Sequence, residues 1–428
     1  LDQKQHKQAI TAWTMYDWAN SSFATTIMAA VLPVYFANVA AATLPENLRS
    51  AYWAYTTTIS LLIVSILGPV LGAMADYSGS KKRFLIFFMI LGVTATALLY
   101  FVGMGDWVLA SVLYIFAALG FSGSLVFYDS LLPHVAHSDE IDQVSSRGYA
   151  MGYLGGGLLL VINLAMIQLT QGDTRLLMTR LSFISVAIWW FVFTIPLWRW
   201  VPEPPRRLLA GEKTASPFSA SFSRLAKTFR AIRKYRQLFK FLVAFWVYNN
   251  GIGTIIYMAS IYGKELGFSD VTVIGTLVMV QFIAIPFAFL FGWLAKKIGT
   301  KRSIYLSLVI YALIATMGFF LSQEWQFWML GAMVATVQGG SQALSRSLFG
   351  RMLPKSQSAE FYSFFGVSEK IAGAVGPLVF GLSTQFFGGG RMGIFSLIIF
   401  FIIGGGLLTT VDEKEGIEIA QAEEALVH

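Results

Sequence analysis

Five charged residues stand well away from the ends of the long apolar runs of this chain: Asp17, Asp129, Arg346, Glu369 and Lys370. A charge in hydrocarbon costs at least about 2.5–3.5 kcal/mol on insertion scales, so each needs a partner or a task. The chemistry open to such groups is recognition of a charged solute, proton exchange, or pairing between helices. Carboxamides add strong dipoles in the same runs: Asn20, Asn249, Asn250, Gln281, Gln338 and Gln342. Covalent chemistry is not indicated. With 4 His, no H-E-x-x-H arrangement and no Cys, neither a zinc hydrolase centre nor a thiolate metal site is expected. A Walker sequence is also missing, so the chain reads as a non-enzyme with no cofactor.

Depth narrows the set. A helix rises about 1.5 Å per residue, so a residue roughly ten positions into a span lies near the midplane. Asn20, Asn249, Gln281 and Glu369 meet that condition, and Gln338 is close to it. Together with the neighbouring Asn250 and Lys370 they form the expected substrate-binding set. Glu369 and Lys370 are adjacent on a helix, about 100° apart, so one can meet substrate while the other pairs across the bundle. Asp17 and Glu369 are the candidates for ion coupling, and Asp129 and Arg346, nearer one face, read as gates. The alternative is structural. Glu369 and Lys370 can be a buried charge set partnered by Asp17 or Asp129, and each Asn or Gln can be an interhelical hydrogen bond.

These residues sit on elements that composition already defines. Of 428 residues, 56% are hydrophobic and only 13% charged, whereas soluble domains carry charge on about a quarter. Roughly 20 apolar residues cross the hydrocarbon. Twelve runs qualify: 12–41, 51–75, 84–104, 107–133, 146–171, 177–200, 238–263, 271–295, 303–322, 326–351, 360–387 and 391–411. Backbone groups in lipid must satisfy one another within the segment, so these are helices. The first run is too long for a signal peptide. With both termini cytoplasmic, 25 of the 31 Lys and Arg residues lie inside and five lie outside, namely Arg49, Arg175, Arg180, Lys264 and Arg391. Lys370 is within a span. That asymmetry sets the topology. It also assigns the net charge of +8 to membrane loops, not to nucleic-acid binding.

One loop occurs twice. Gly72, Asp76, Gly79 and Lys81-Lys82-Arg83 recur 220 residues later as Gly292, Lys296, Gly299 and Lys301-Arg302. Chains made of two similar membrane halves place their binding site between them. With this loop signature and spans split six and six, the chain resembles the major facilitator superfamily. The resemblance implies an all-α membrane protein of 12 transmembrane helices in two pseudo-symmetric six-helix bundles. The expected division is 1–201 and 238–412 for the bundles, 202–237 for a cytoplasmic linker and 413–428 for a cytoplasmic tail. Asp76 is expected to act as a latch, accepting hydrogen bonds around Ser358–Phe361, because a helix N-terminus favours a carboxylate. Lys296 replaces the acid in the second copy, which argues against an acid-based latch there.

Within the superfamily, Tyr16-Asp17-Trp18-Ala19-Asn20-Ser21, Gln338-Gly-Gly-Ser-Gln342-Ala-Leu-Ser345-Arg346-Ser347 and Gly376-Pro377 are similar to a narrower group. That group is the bacterial relatives of the fungal vacuolar amino-acid effluxers linked to autophagy. The resemblance implies transport of an amino acid. Asn249-Asn250-Gly251 departs from the group, which tends to carry an acid in span seven.

Spans three, six, nine and twelve lack charges and carboxamides in their middles, so they are expected to face lipid while the other eight line a cavity. Gly148, Gly152 and Gly156 form a small stripe for close helix approach, expected between the halves. His134 and His137 follow Pro133 and read as solvated loop residues. From Phe218 the linker reads as a basic amphipathic helix, 218–236, suited to anionic lipid. The functional expectation is a monomeric secondary transporter in the cell (inner) membrane. It moves a small zwitterion such as an amino acid by alternating access, with protons as a candidate coupling ion. Export of amphiphilic drugs or lipid-like molecules is the alternative substrate reading. A receptor or scaffold on a transporter fold is the non-transport one.

Overall fold

The computed structural model describes residues 2–205, 235–387 and 390–426, without the side chains of several helical residues, Glu369 and Lys370 among them. The amphipathic segment expected from Phe218 therefore lies outside the described residues, as do the side chains of the Glu369 and Lys370 pair. Described residues form helices and turns with no strand. The helices are α1 (Gln3–Ala40), α2 (Glu46–Ser78), α3 (Lys81–Leu98), α4 (Trp107–Val135), α5 (Ile141–Gln168) and α6 (Gly172–Trp200). After the linker come α7 (Arg236–Glu265), α8 (Asp270–Ile298), α9 (Thr300–Phe319), α10 (Glu324–Arg351), α11 (Ser358–Phe387), α12 (Gly390–Thr409) and a tail helix α13 (Glu413–Leu426). Each of the twelve apolar runs lands on one of α1–α12. Among the described residues, nine helical stretches are long and apolar enough to cross a membrane, on α1–α6, α8, α9 and α12.

Local chemistry explains the boundaries. The α2–α3 turn closes on Gly79, whose φ of 61° is the left-handed conformation glycine adopts without strain. Gly299 closes the turn between α8 and α9 with a different positive-φ conformation, φ 95° and ψ 150°, also open to glycine. The second half of α1 winds as π-helix over Phe23–Val31 and Phe36–Ala40. Pro33 lies between the two wide stretches and has no N–H to donate to the preceding turn.

Two apolar cores result. One draws on α1–α6, around Trp13, Phe23, Tyr128 and Trp190. The other draws on α7–α12, around Phe245, Tyr311, Phe349 and Tyr362. The halves meet along α2–α11, α5–α8, α5–α10 and α4–α11. The main partners of α3 and α6 lie in the first half, and those of α9 and α12 in the second. These four helices present Phe87, Ile188, Val309 and Ile402 outward.

The glycine stripe of α5 packs differently from expectation. It receives α1 of its own half, where a Cβ on Gly152 would fall 2.7 Å from Ser21 Oγ and one on Gly156 would fall 2.9 Å from Ser21 O. Small residues specify a close approach but not which helix makes it. Only at Gly148 does the stripe also reach the other half.

Candidate functional site

Both chain ends lie at one face. His6 near the start of α1 meets Glu140 ahead of α5, and Glu413 of α13 meets Arg351 at the end of α10, which also pairs with Asp142 of α5. On this terminal face the halves are tied together three times.

The innermost tie centres on Arg346. Helix α10 delivers it from the second half into the first, where it is 2% exposed. Its Nη1 donates to Asp129 Oδ1 at 3.1 Å, and Nη2 lies 3.4 Å from Asp17 Oδ2. Nε donates to Ser145 Oγ and Nη2 to the Ser145 carbonyl, each at 2.9 Å. Tyr128 donates its hydroxyl to the same Asp17 oxygen at 2.7 Å. The guanidinium also packs on the Tyr149 and Trp13 rings, at 4.4 and 5.0 Å from their centroids. Trp13 is itself fixed by donating Nε1–H to the Tyr128 carbonyl. Room for this cluster comes from Gly148, where a Cβ would fall 2.4 Å from Asp17 Oδ2 and 3.0 Å from Arg346 Nη2. Two carboxylates thus share one guanidinium across the seam. In low dielectric such an arrangement holds only with its hydrogen bonds complete.

The second tie is built on Asp76. Its carboxylate accepts from the Ala359 N–H at 3.2 Å and the Glu360 N–H at 2.8 Å, both at the start of α11. Lys81 holds it from the other side at 2.8 Å and donates to Ser358 Oγ at 2.7 Å. Gly72 allows the approach, since a Cβ there would lie 2.5 Å from the Ala359 carbonyl oxygen. His134 belongs to this cluster, with Nε2 3.0 Å from Lys81 Nζ. It is therefore no solvated loop residue: Pro133 and His134 both lie within the last turn of α4.

The third tie corrects an expectation. An acid does meet the second repeat, but α5 supplies it in the form of Asp142. Asp142 accepts from Thr300 Oγ1 at 2.8 Å, from Ser347 Oγ at 2.5 Å and from Arg351. Gly292 makes the close contact here, with a Cβ 2.9 Å from Ser146 Oγ. Sequence reasoning passed over Asp142 because it lies outside the apolar run. A usable signal was present, an acid in the first turn of a helix.

Of the amides, Gln281 and Gln338 lie on helices that meet α5 at the seam. Gln281 of α8 lies against α5, where a Cβ on Gly157 would meet Gln281 Cβ at 3.3 Å. Gln338 of α10 stands next to Gly339, where a Cβ would fall 2.8 Å from the Tyr153 ring of α5. Asn20 sits about one turn beyond Asp17; it is buried, and its Nδ2 has no protein partner among the described residues. Asn249 is buried in α7. Asn250 is committed within the protein: Nδ2 donates to the Trp246 carbonyl at 2.7 Å and Oδ1 accepts from the Gly376 N–H at 3.0 Å. It clamps α7 to α11. The alternative partnering of Glu369 and Lys370 with Asp17 or Asp129 meets a competitor, because both aspartates engage Arg346.

A sequence model of the family described as "Vacuole effluxer Atg22 like" matches residues 5–421. The chain belongs to this family. An MFS-type transporter of Bacillus subtilis (strain 168), YxiO, is 38% identical over 428 residues, covering 99% of each chain. Autophagy-related protein 22 of Coccidioides immitis (strain RS) is 25% identical over 456 residues, covering 88% of this chain and 75% of its own. Among solved structures, the proton:xylose symporter XylE matches with a TM-score of 0.76, over 99% of this chain and 100% of its own, at 14% identity. The human organic anion transporter MFSD10 matches with a TM-score of 0.71, over 94% and 99%, at 12% identity. This Atg22-family chain therefore has the major facilitator fold, all-α with two pseudo-symmetric six-helix bundles. It is a multi-pass membrane protein related to MFS transporters.

Proposed function

We propose that this chain is a secondary transporter of a small zwitterion, an amino acid in the simplest case, working by alternating access with protons as the coupling ion. One observation carries the reading. Arg346 of the second half bridges Asp17 and Asp129 of the first. With two carboxylates on one guanidinium, the cluster accommodates one further positive charge, which a proton or a substrate ammonium supplies. A substrate carboxylate competes for Arg346 in return. Either event loosens the tie between the halves, which links solute binding to opening of the terminal face.

Residues 1–201 and 238–412 act in this reading as the two moving bundles, with the seam between them as the pathway. In this reading Asn20, Asn249, Gln281, Gln338, Glu369 and Lys370 serve as the substrate-binding set. Asn250 serves as a clamp. The protein works as a monomer in the cell membrane with its terminal face in the cytoplasm, as its Lys and Arg distribution favours.

The test is flux through purified protein in proteoliposomes. Counterflow of labelled amino acids is expected, with net uptake that responds to an imposed pH gradient. Counterflow of none of the common amino acids, from vesicles that do move a lipophilic cation, would sink the zwitterion reading.

A further inference from the structure

We propose that His6, His137 and Glu140 form a binding site for a divalent transition cation of the zinc type, at the terminal face and apart from the transport pathway. The three residues come from two elements far apart in sequence, the first turns of α1 and the turn that leads into α5. Their ligand atoms all lie within 4.8 Å of one another. His6 Nε2 is 2.5 Å from Glu140 Oε1. The two imidazoles stack with centroids 4.3 Å apart and planes at 27°, which holds the rings side by side. The backbone N–H of His137 donates to Glu140 Oε1 at 3.0 Å and fixes the carboxylate against the turn.

The donor chemistry selects the ion class. Two imidazole nitrogens and one carboxylate oxygen suit zinc, nickel or cobalt, whereas calcium and magnesium prefer all-oxygen shells. Zinc binds such ligands at about 2.0–2.2 Å, which places them about 3.3–3.5 Å apart around a tetrahedral ion. Loading an ion requires side-chain rotations that widen the 2.5 Å His6–Glu140 contact to that spacing and bring His137 to it, with water in the fourth position. His6 and Glu140 are half-buried and His137 is exposed, so the site opens to solvent and an ion can enter.

Location gives the ion a consequence. Glu140 directly precedes α5, and Asp142 of the third tie follows two residues later. An ion here staples the start of α1 to the start of α5 and stiffens the segment that presents Asp142 to the second half.

The experiment is calorimetric titration of the purified full-length protein with zinc chloride, after removal of any polyhistidine tag. One zinc per chain is expected, with a rise in Tm on loading and no response to magnesium. His6→Ala and His137→Ala should each weaken zinc binding by at least about tenfold, the scale on which even outer-shell changes act. His137→Asn is the milder variant should His137→Ala disturb the turn, and the metal-free Tm of each variant checks its fold. Cobalt(II) absorption provides a second readout, because a low-symmetry nitrogen and oxygen shell gives intense visible bands. Failure of wild-type protein to bind zinc, or binding that persists unchanged in the His6→Ala/His137→Ala double variant, overturns the proposal. Uptake of several ions insensitive to both substitutions marks adventitious surface binding and overturns it equally.

Discussion

Asp142 accepts a 2.8 Å hydrogen bond from Thr300, and Thr300 stands 220 residues after Ser80, in the same register as the repeated loop. The two repeats thus solve one problem with the charge on opposite partners. In the first, the loop carries the acid, Asp76, and the facing helix α11 offers backbone N–H groups. In the second, Lys296 takes the acid's register position, and the facing helix α5 carries the acid. Either arrangement places a carboxylate between the halves at a helix start, where partial positive charge favours it.

Asp142→Asn should loosen the terminal face. The substitution keeps the shape and removes charge-assisted hydrogen bonds from Thr300, Ser347 and Arg351. A loss of about 2 kcal/mol, within the range for hydrogen bonds to charged groups, shifts the open-to-closed ratio roughly 30-fold. The chain has no cysteine, so one introduced at Ala343, buried beside Ser145, reports opening through its maleimide labelling rate. Asp76→Asn should act on the other seam, and the two effects should add in free energy because their partners are separate. Labelling that stays at the wild-type rate in both single variants would remove the latch reading.

The helices were legible because lipid leaves the backbone few choices, and apolar runs mark them. Pairing across the seam was not. Asp17 and Arg346 are 329 residues apart in sequence. Each was recognisable alone as a costly charge, yet nothing local to either names its partner, so Asp17 read as a coupling group and Arg346 as a rim gate. Asn250 shows the same limit from the other side. Its place beside Asn249 put it in the expected binding set, while its hydrogen bonds to Trp246 and Gly376 depend on how α7 meets α11.

Arg346→Gln should abolish transport and destabilise the protein. Removing one member of a buried charge cluster leaves Asp17 and Asp129 uncompensated, a cost of about 3–5 kcal/mol. Arg346→Lys should recover part of the stability but little flux, since an ammonium cannot reproduce the fork on Asp129 and Ser145 or the stack on Tyr149. The triple variant Asp17→Asn/Asp129→Asn/Arg346→Met should melt above Arg346→Gln, because no charge is then stranded. Equal Tm values for Arg346→Gln and wild type would show that the cluster contributes nothing to folding.

Gly148→Ala and Gly406→Ala make a paired test of the same cluster. At Gly148 the new methyl meets Asp17 Oδ2 at 2.4 Å and Arg346 Nη2 at 3.0 Å, so the ion cluster must shift. Overpacking of this kind costs about 1–3 kcal/mol, and transport should fall with it. At Gly406 nothing lies within 4 Å, and the residue sits in α12 without positive φ. Alanine there should leave stability unchanged or raise it by about 0.5–1 kcal/mol through helix propensity. Melting curves and counterflow rates distinguish the two. A harmless Gly148→Ala would mean that α1 and α5 have slack where the geometry shows none.

The tail helix offers a prediction whose sign opposes intuition. Glu413 lies 3.3 Å from Arg351, and a simple ion pair would make Glu413→Gln destabilising at neutral pH. Burial instead holds the Glu413 carboxyl above its usual range, and Asp142 pushes the same way, while Arg351 and Lys301 oppose them without prevailing. The sign then follows from linkage. A group with its folded pKa raised contributes stability that is fully present below its unfolded pKa, about 4.3 for glutamate, and is lost as pH rises through the folded value. Wild type should therefore gain on Glu413→Gln as the medium is acidified, because Gln resembles the protonated acid. Glu413→Gln should melt higher than wild type at pH 7 to 8, and the difference should shrink to nothing below about pH 4. The measurement is Tm against pH for both proteins under one salt condition. A lower Tm for Glu413→Gln at pH 7 would mean that attraction to Arg351 outweighs desolvation, and that α13 is docked by its ion pair.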